Sequence, residues 1–209
     1  MSKKIIITIA RQYGSGGREI GERLAKLLNI PLYDKELITE AASKGNLNEE
    51  VIKVTEESAA NSLLYTLAMG SNIAGAGPHF GYRMPINDKL FILQSEAIKE
   101  YASRGSAVII GRCADYVLRE EENLFRIFIY GDLDHRKARV AERHPEVKST
   151  SIIDLISKTD KRRASYYNFY TGNKWGKYDN YDIAINSSTL GIEGTAEMLC
   201  RCIKTLIED

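Results

Sequence analysis

The residues best suited to chemistry lie near the beginning of the chain, where three glycines are enclosed by Arg11 and Arg18. Closely spaced glycines allow several backbone N–H groups to point at one place, and a helix that begins there adds partial positive charge. Guanidinium groups bind phosphate oxygens in pairs. The stretch RQYGSGGR therefore predicts a phosphate site, whose loop residues are Gly14, Ser15, Gly16 and Gly17.

Three interpretations of this loop are open. The P-loop pattern G-x-x-x-x-G-K-[ST] fits poorly, because Gly17 takes the place of the lysine and Arg18 that of the hydroxyl residue. A dinucleotide fingerprint, G-x-G-x-x-G, would use Gly14 and Gly16, but Glu19 replaces its third glycine. A plain strand-to-helix turn is the third interpretation, and it leaves the two flanking arginines unexplained.

The elements that must position the loop alternate between strands and helices. Runs rich in β-branched residues predict buried strands at residues 5–9, 32–33, 107–110, 125–130 and 181–186. Amphipathic or capped segments predict helices at residues 17–28, from 35 onward, over most of 46–104, at 132–144, 149–171 and 191–209. This alternation predicts an α/β fold with a parallel sheet flanked by helices.

Composition excludes several classes of protein. The chain has 209 residues with 29 basic and 28 acidic side chains, a balance that argues against a broad nucleic-acid surface. Three cysteines without a C-x-x-C pair favour reduced thiols and a cytoplasmic protein. No apolar run approaches membrane-spanning length, so no membrane partner is expected.

Four blocks of the sequence resemble the cytidylate kinase-like family, a divergent branch of the nucleoside monophosphate kinases. They are ARQYGSGGREIGERLAKLLNIPLYD, VIIGRCADYVL, DKRRASYYNFYTGNKWG and YDIAINSSTLGIEG. The resemblance implies a three-layer P-loop kinase fold with a five-stranded parallel sheet. It also implies one domain over 1–209, with a core at 1–45 and 105–209, a helical monophosphate-binding insert at about 46–104 and a lid at about 145–178.

Members of this family transfer the γ-phosphoryl group of ATP to CMP or dCMP. The resemblance therefore implies ATP and Mg²⁺ as cofactors and small nucleotides as partners. It implies donor-phosphate binding by Gly14, Ser15, Gly16 and Gly17, acceptor binding by Tyr33, Asp34 and Arg112, and a lid with Asp160 and Arg163. From their charge and position we add Arg11 and Arg18 to the donor site, Asp115 to the acceptor site and Arg162 to the lid. Because guanidinium groups can neutralise phosphate charge, we expect catalysis by Arg18, Arg112, Arg162 and Arg163.

Two departures from the family pattern bear on activity. Gly17 stands where the family has lysine, and Cys113 stands where an aspartate helps to position Mg²⁺. No residue is assigned as a metal ligand. We hypothesise that Arg18 reaches back over the loop to supply the missing charge. The alternative is a nucleotide-binding regulator, a pseudo-kinase without turnover.

Two further groups of residues each have a functional and a structural interpretation. Three arginines at helical spacing are typical of a lid hinge or of a solvated helix face: Arg136, Arg139 and Arg143. Aromatic residues between 166 and 181 alternate with lysines, a pattern that occurs in single-stranded RNA binding. Packing of the lid, or a homodimer contact, is the interpretation we favour for them.

Overall fold

A computed structural model describes residues 3–34 and 86–208 of the chain. The helix predicted from Lys35, the glycine-rich stretch at 70–85 and most of the predicted insert lie outside the described residues. The five predicted strands all lie inside them and are confirmed to within two residues at each end.

The strands form one parallel sheet in the order β2-β3-β1-β4-β5. Its central strand, β1, leads directly into the glycine loop. Their bounds are β1 Ile6–Arg11, β2 Leu32–Tyr33, β3 Ala107–Ile110, β4 Leu124–Tyr130 and β5 Ile183–Asn186.

The helices agree with the predicted segments, except that a one-turn helix at Ala114–Val117 was not predicted and that the last helix begins earlier. It starts at Ser187 rather than at Gly191, and Gly191 interrupts it with a left-handed φ of 65°. The bounds are α1 Gly17–Leu28, α2 Ile86–Ser103, α3 Ala114–Val117, α4 Leu133–Arg143, α5 Ser149–Thr171 and α6 Ser187–Glu208, with a 3₁₀ turn at Tyr178–Asn180.

The isoleucines of β1 are buried on both faces of the sheet. Ile7 and Ile9 pack with α1 and α6, whereas Ile6 packs with α2 and α3. Because the side chains of a strand alternate between the faces, a strand covered by helices on both sides must be apolar throughout. Complete burial of an isoleucine contributes about 1.5–3 kcal/mol, so these contacts anchor the strand that carries the loop.

A smaller cluster packs α4 against α5 beside the loop. Val140, Ile152 and Ile156 are buried in it, and Tyr13 of the glycine loop packs against them. The predicted lid segment therefore includes a long helix whose apolar face touches the loop. Among the residues that the structure describes, no helix is long and apolar enough to cross a membrane.

Candidate active site

The carboxyl ends of the five parallel strands bring the predicted site residues to one edge of the sheet. Arg11 ends β1, Asp34 follows β2, and Gly111 with Arg112 follows β3. Ligands of open parallel α/β sheets bind at this edge. The fold therefore places predicted donor and acceptor residues on neighbouring strands, although they lie some 100 residues apart in the chain.

The glycine loop has the backbone geometry of an anion-binding nest. Gly14 and Gly16 have φ values of 79° and 77°, in the left-handed region that glycine adopts without strain. The Ser15 amide donates to the Gln12 carbonyl at 3.4 Å. Within residues 3–34 and 86–208, the amides of Gly14, Gly16 and Gly17 have no acceptor. Three N–H groups are thus available at the beginning of α1.

Helix α4 lies against the loop so closely that Gly14 could not carry a side chain. A Cβ atom at Gly14 would lie 2.9 Å from the carbonyl oxygen of Arg136 and 2.9 Å from Cγ2 of Val140. The guanidinium carbon of Arg139 would lie 3.6 Å from a Cβ atom at Gly16. Close packing against α4 is therefore a reason for glycine at position 14 that does not depend on phosphate binding.

Asp160 of the predicted lid ties the loop to α4 and α5. Its Oδ1 accepts the amide hydrogen of Tyr13 at 2.7 Å, and its Oδ2 pairs with the buried guanidinium of Arg136. Arg136 also donates through Nε to the carbonyl of Tyr13 at 2.7 Å. Both backbone groups of Tyr13 are therefore held by charged side chains, which makes the bonds stronger than neutral ones.

The two predicted lid arginines are placed differently. Arg163 donates to the carbonyl of Arg11 at 2.8 Å and lies 5.5 Å from the ring centre of Tyr13, and its burial lowers the pKa of the guanidinium. Arg162 lies on the exposed side of α5. The structure therefore brings Arg163 to the end of β1, whereas contact of Arg162 with the site stays a prediction.

The arginine-rich face of α4 packs against the glycine loop and α1, although Arg143 at its end is exposed. Arg139 donates to Glu19 at 3.0 Å, and Arg143 pairs with the same carboxylate. Glu19 lies in the first turn of α1, so these pairs join the glycine loop's helix to α4. Oε2 of Glu19 and Nε of Arg139 are buried without a partner in the described part of the chain.

We hypothesised from the sequence that Arg18 reaches back over the loop. In the structure the side chain instead turns toward Asp34 and Glu22. Its Nη2 donates to Oδ2 of Asp34 at 2.7 Å, and its Nε lies 3.2 Å from Glu22 one helical turn away. The opposite charges of Asp34 and Glu22 explain this direction. Tyr33, the other predicted acceptor residue of β2, stacks on Tyr101 with ring centres 3.9 Å apart. Binding of nucleotide by these residues remains a prediction.

Arg11 lies in the space that the hypothesis assigned to Arg18. Its Cβ and Cγ atoms pass directly beside Gly17, and its guanidinium group reaches Gly111 after β3. The side chain is half-buried. Arg11 therefore runs along the edge of the sheet from the glycine loop to the predicted acceptor residues.

Three consecutive residues after β3 have left-handed backbone conformations. Their φ values are 75° for Gly111, 56° for Arg112 and 56° for Cys113, and the Ala114 amide closes the turn on the Gly111 carbonyl at 3.1 Å. A left-handed conformation costs roughly 1–2 kcal/mol at each non-glycine residue. Such strain is concentrated at functional sites. The guanidinium carbon of Arg112, in the middle of this turn, lies 5.8 Å from the ring centre of Tyr166 on α5.

Asp115, which was predicted to bind the acceptor, is buried beneath this turn. It accepts a hydrogen bond from the hydroxyl of Tyr167 at 2.7 Å. Burial raises the pKa of Asp115, although the tyrosine hydrogen bond opposes the shift. Burial likewise raises the pKa of the Cys113 thiol, which disfavours a thiolate nucleophile there.

The carboxylates described so far are engaged with other side chains. Asp34 and Glu19 pair with arginines, and Asp115 accepts from Tyr167. Across residues 3–34 and 86–208, no three acidic, histidine or cysteine side chains come together as a metal site would require. We derive no chemical step through Mg²⁺.

Sequence reasoning did not find two residues that shape the site. Tyr13 was assigned no role, and Glu19 was considered only as a residue that replaces a glycine or hydroxyl residue of a known motif. A signal for Glu19 was present, because three arginines on one face of α4 require a carboxylate when the helix is packed. No comparable signal marks Tyr13, whose backbone meets Asp160 and Arg136 and whose ring packs beside α4 and α5.

Comparison with solved structures identifies the class of fold. The structure of shikimate kinase from Bacteroides thetaiotaomicron matches with a TM-score of 0.52 at 14% identity, over 97% of this chain and 99% of that one. The likeness shows that the chain has the P-loop kinase fold. An uncharacterized protein from Eubacterium ventriosum matches with a TM-score of 0.72 at 30% identity, over 96% and 99% of the two chains.

The sequence comparisons identify the family. The model of the cytidylate kinase-like family matches residues 6–189, and the chain belongs to that family. A cytidylate kinase from Methanococcus aeolicus is 30% identical over 106 residues, which are 50% of this chain and 59% of that protein. The resemblance inferred from the four sequence blocks is thereby confirmed.

Proposed function

We propose that this protein transfers the γ-phosphoryl group of ATP to CMP, dCMP or a related small phosphate acceptor. An oxygen of the acceptor phosphate attacks the γ-phosphorus, and the bond from that phosphorus to the β,γ-bridging oxygen breaks. ADP leaves with the electron pair of that bond. Since the attacking phosphate is already a dianion, no general base is needed.

The observation that carries this proposal is the convergence of amide hydrogens and guanidinium groups at one edge of the sheet. The amides of Gly14, Gly16 and Gly17 begin α1 without acceptors in the described residues, and Arg112 is aimed from the neighbouring strand. Phosphoryl transfer depends mainly on positioning and on neutralising charge at phosphate oxygens, which such groups supply.

A second candidate function is nucleotide binding without turnover. It is favoured by Gly17 in the lysine position and by the pairing of Arg18 with Asp34, which engages a cation that the hypothesis had given to phosphate. Such a protein would respond to nucleotide without consuming it. The alternative shares the site of the first proposal and differs in the rate of the chemical step.

The two candidates are separated by measuring binding and turnover on one preparation. ATP and CMP are titrated by calorimetry with and without Mg²⁺, and CDP formation is followed by chromatography. We expect ATP binding and CDP formation. ATP binding without product from CMP, dCMP or other monophosphates would favour the regulator, and absence of both would exclude both candidates.

A further inference from the structure

Gly17 and Arg11 occupy space that only one side chain can fill. A Cβ atom at Gly17 would lie 2.6 Å from Cβ and 2.9 Å from Cγ of Arg11, well inside the 3.5–4.0 Å of a normal carbon contact. Gly17 begins α1 and is not among the glycines with positive φ, so its backbone does not itself require glycine. The absence of a side chain at position 17 is thus explained by Arg11.

The far end of Arg11 lies beside a second glycine, Gly111, whose φ of 75° favours glycine independently of this contact. A Cβ atom at Gly111 would overlap Nη1 of Arg11. The arginine therefore extends from one glycine to the other, with its charged end just before Arg112. Its carbonyl oxygen is held by Arg163 at 2.8 Å, and its backbone pairs with Ile129 of β4. The base of the side chain is therefore fixed, and its charged end lies beside Gly111.

We infer that Arg11 supplies the cation that the glycine loop lacks at position 17. This inference rests on the proposed function, because it concerns the phosphates of that reaction. In the usual P-loop pattern the lysine follows the second glycine and reaches the β- and γ-phosphates. In this chain the charge comes from the end of β1 instead, and it lies between the loop amides and the acceptor arginine. A guanidinium there bridges oxygens of both phosphates in pairs.

The test moves the positively charged side chain from position 11 to position 17. The variants are Arg11→Met, Arg11→Ala, Gly17→Lys and the double change Arg11→Ala with Gly17→Lys. Arg11→Met keeps an unbranched apolar side chain and removes the charge. Arg201→Ala, an exposed arginine on α6, is the control for loss of one positive charge. Each is measured for CDP formation, for ATP and tripolyphosphate affinity, and for thermal unfolding.

We expect Arg11→Met and Arg11→Ala to reduce kcat on the order of 10²–10³-fold, as loss of one transition-state cation does. Gly17→Lys alone should also lose activity, because the new side chain collides with Arg11. The double variant should recover most of the loss, since the lysine enters the vacated space. If the wild type binds ATP without turnover, the variants must show the same ranking in their affinities for ATP and tripolyphosphate.

Some results would overturn the inference while leaving the proposed function intact. They are an active wild type with an equally active Arg11→Met, or a double variant no better than Arg11→Ala although both unfold at the same temperature. A wild type that neither binds ATP nor forms product would overturn the proposed function and this inference together.

Discussion

The arginines on the two sides of β1 are held in place by different forces. On the side of β4, Arg136 is paired with Asp160 and is almost fully buried. On the side of β3, Arg112 is aimed by a left-handed turn and lies over the ring of Tyr166. The first arrangement depends on opposite charges, and the second on backbone strain. The two halves of one site should therefore respond to different substitutions.

The carboxylates show the same contrast. Asp160 meets a guanidinium, whereas Asp115 meets the neutral hydroxyl of Tyr167. A carboxylate beside a fixed cation is stabilised as an anion, but one buried beside a phenol keeps most of the cost of leaving water. Charge pairing thus holds the contacts of Asp160 and Arg136, whereas the turn after β3 carries strain and a carboxyl group whose burial is only partly offset.

Asp160→Asn should cause the largest loss of stability. It leaves Arg136 buried without its anion, and breaking a buried ion pair in this way costs about 3–5 kcal/mol. The free energy of unfolding from urea denaturation measures the loss. Tyr13 should also become more accessible, which faster amide hydrogen exchange at that residue would report.

The matched control is Asp134→Asn on α4. That carboxylate pairs with Lys137 at 2.8 Å, but its side chain is 92% exposed. Exposed pairs contribute little to stability, so this variant should resemble the wild type. Equal losses from the two substitutions would show that the pair of Arg136 and Asp160 does not fix the loop.

Arg112→Ala should have the next largest effect, and it should be confined to the acceptor. Loss of a charge-assisted hydrogen bond costs about 1.5–3 kcal/mol, on the order of 10- to 100-fold in affinity. We expect CMP affinity to fall by that factor while ATP affinity changes little. Calorimetric titration of each nucleotide measures both.

Arg112→Gly separates the side chain from the strained turn. Glycine adopts a φ of 56° without strain, so this variant should unfold at a higher denaturant concentration than Arg112→Ala. It should still bind CMP as weakly, because the guanidinium is missing. A parallel loss of ATP and CMP affinity would contradict the division of the site into two halves.

Sequence patterns predicted the sheet because its signals are local. The apolar run of β1 and the β-branched run of β3 identify buried strands within a few residues of each, and neighbours in the chain supply most of that information. The same holds for α5, whose predicted bounds are those observed. The order of the strands was not predicted, since periodicity alone does not specify it.

The directions of the arginines could not be predicted in this way. Arg18 turns to Asp34, which lies 16 residues further along, and Arg139 turns to Glu19, 120 residues away in the chain. Each guanidinium follows whichever carboxylate the fold brings within reach. For the same reason the sequence showed only that position 17 lacks a lysine. It did not show that the side chain of Arg11, six residues earlier, fills the space beside Gly17.

Asp115→Asn should have the smallest effect, and it should appear only as a change in pH dependence. Burial raises the pKa of Asp115 in the folded state above its unfolded value, so the native protein binds more protons between the two values. The stability of the wild type therefore falls as pH rises from about 4, the ordinary pKa of an aspartate, through the folded pKa. Asparagine still accepts from Tyr167 but does not titrate.

The measurement for this last prediction is the difference in unfolding free energy between Asp115→Asn and the wild type across pH 4 to 8. The difference should favour the variant increasingly as pH rises, and then level off. Tyr167→Phe should raise the pKa of Asp115 further, because the hydrogen bond from the Tyr167 hydroxyl lowers it. The pH range over which the protein loses stability through ionisation of Asp115 should then extend to higher pH. Parallel stability curves for Asp115→Asn and the wild type would instead mean that the hydrogen bonds of Asp115 and the charge of Arg126 fully offset its burial. The contrast between the two sides of β1 would then be lost for the carboxylates and would remain only for the arginines.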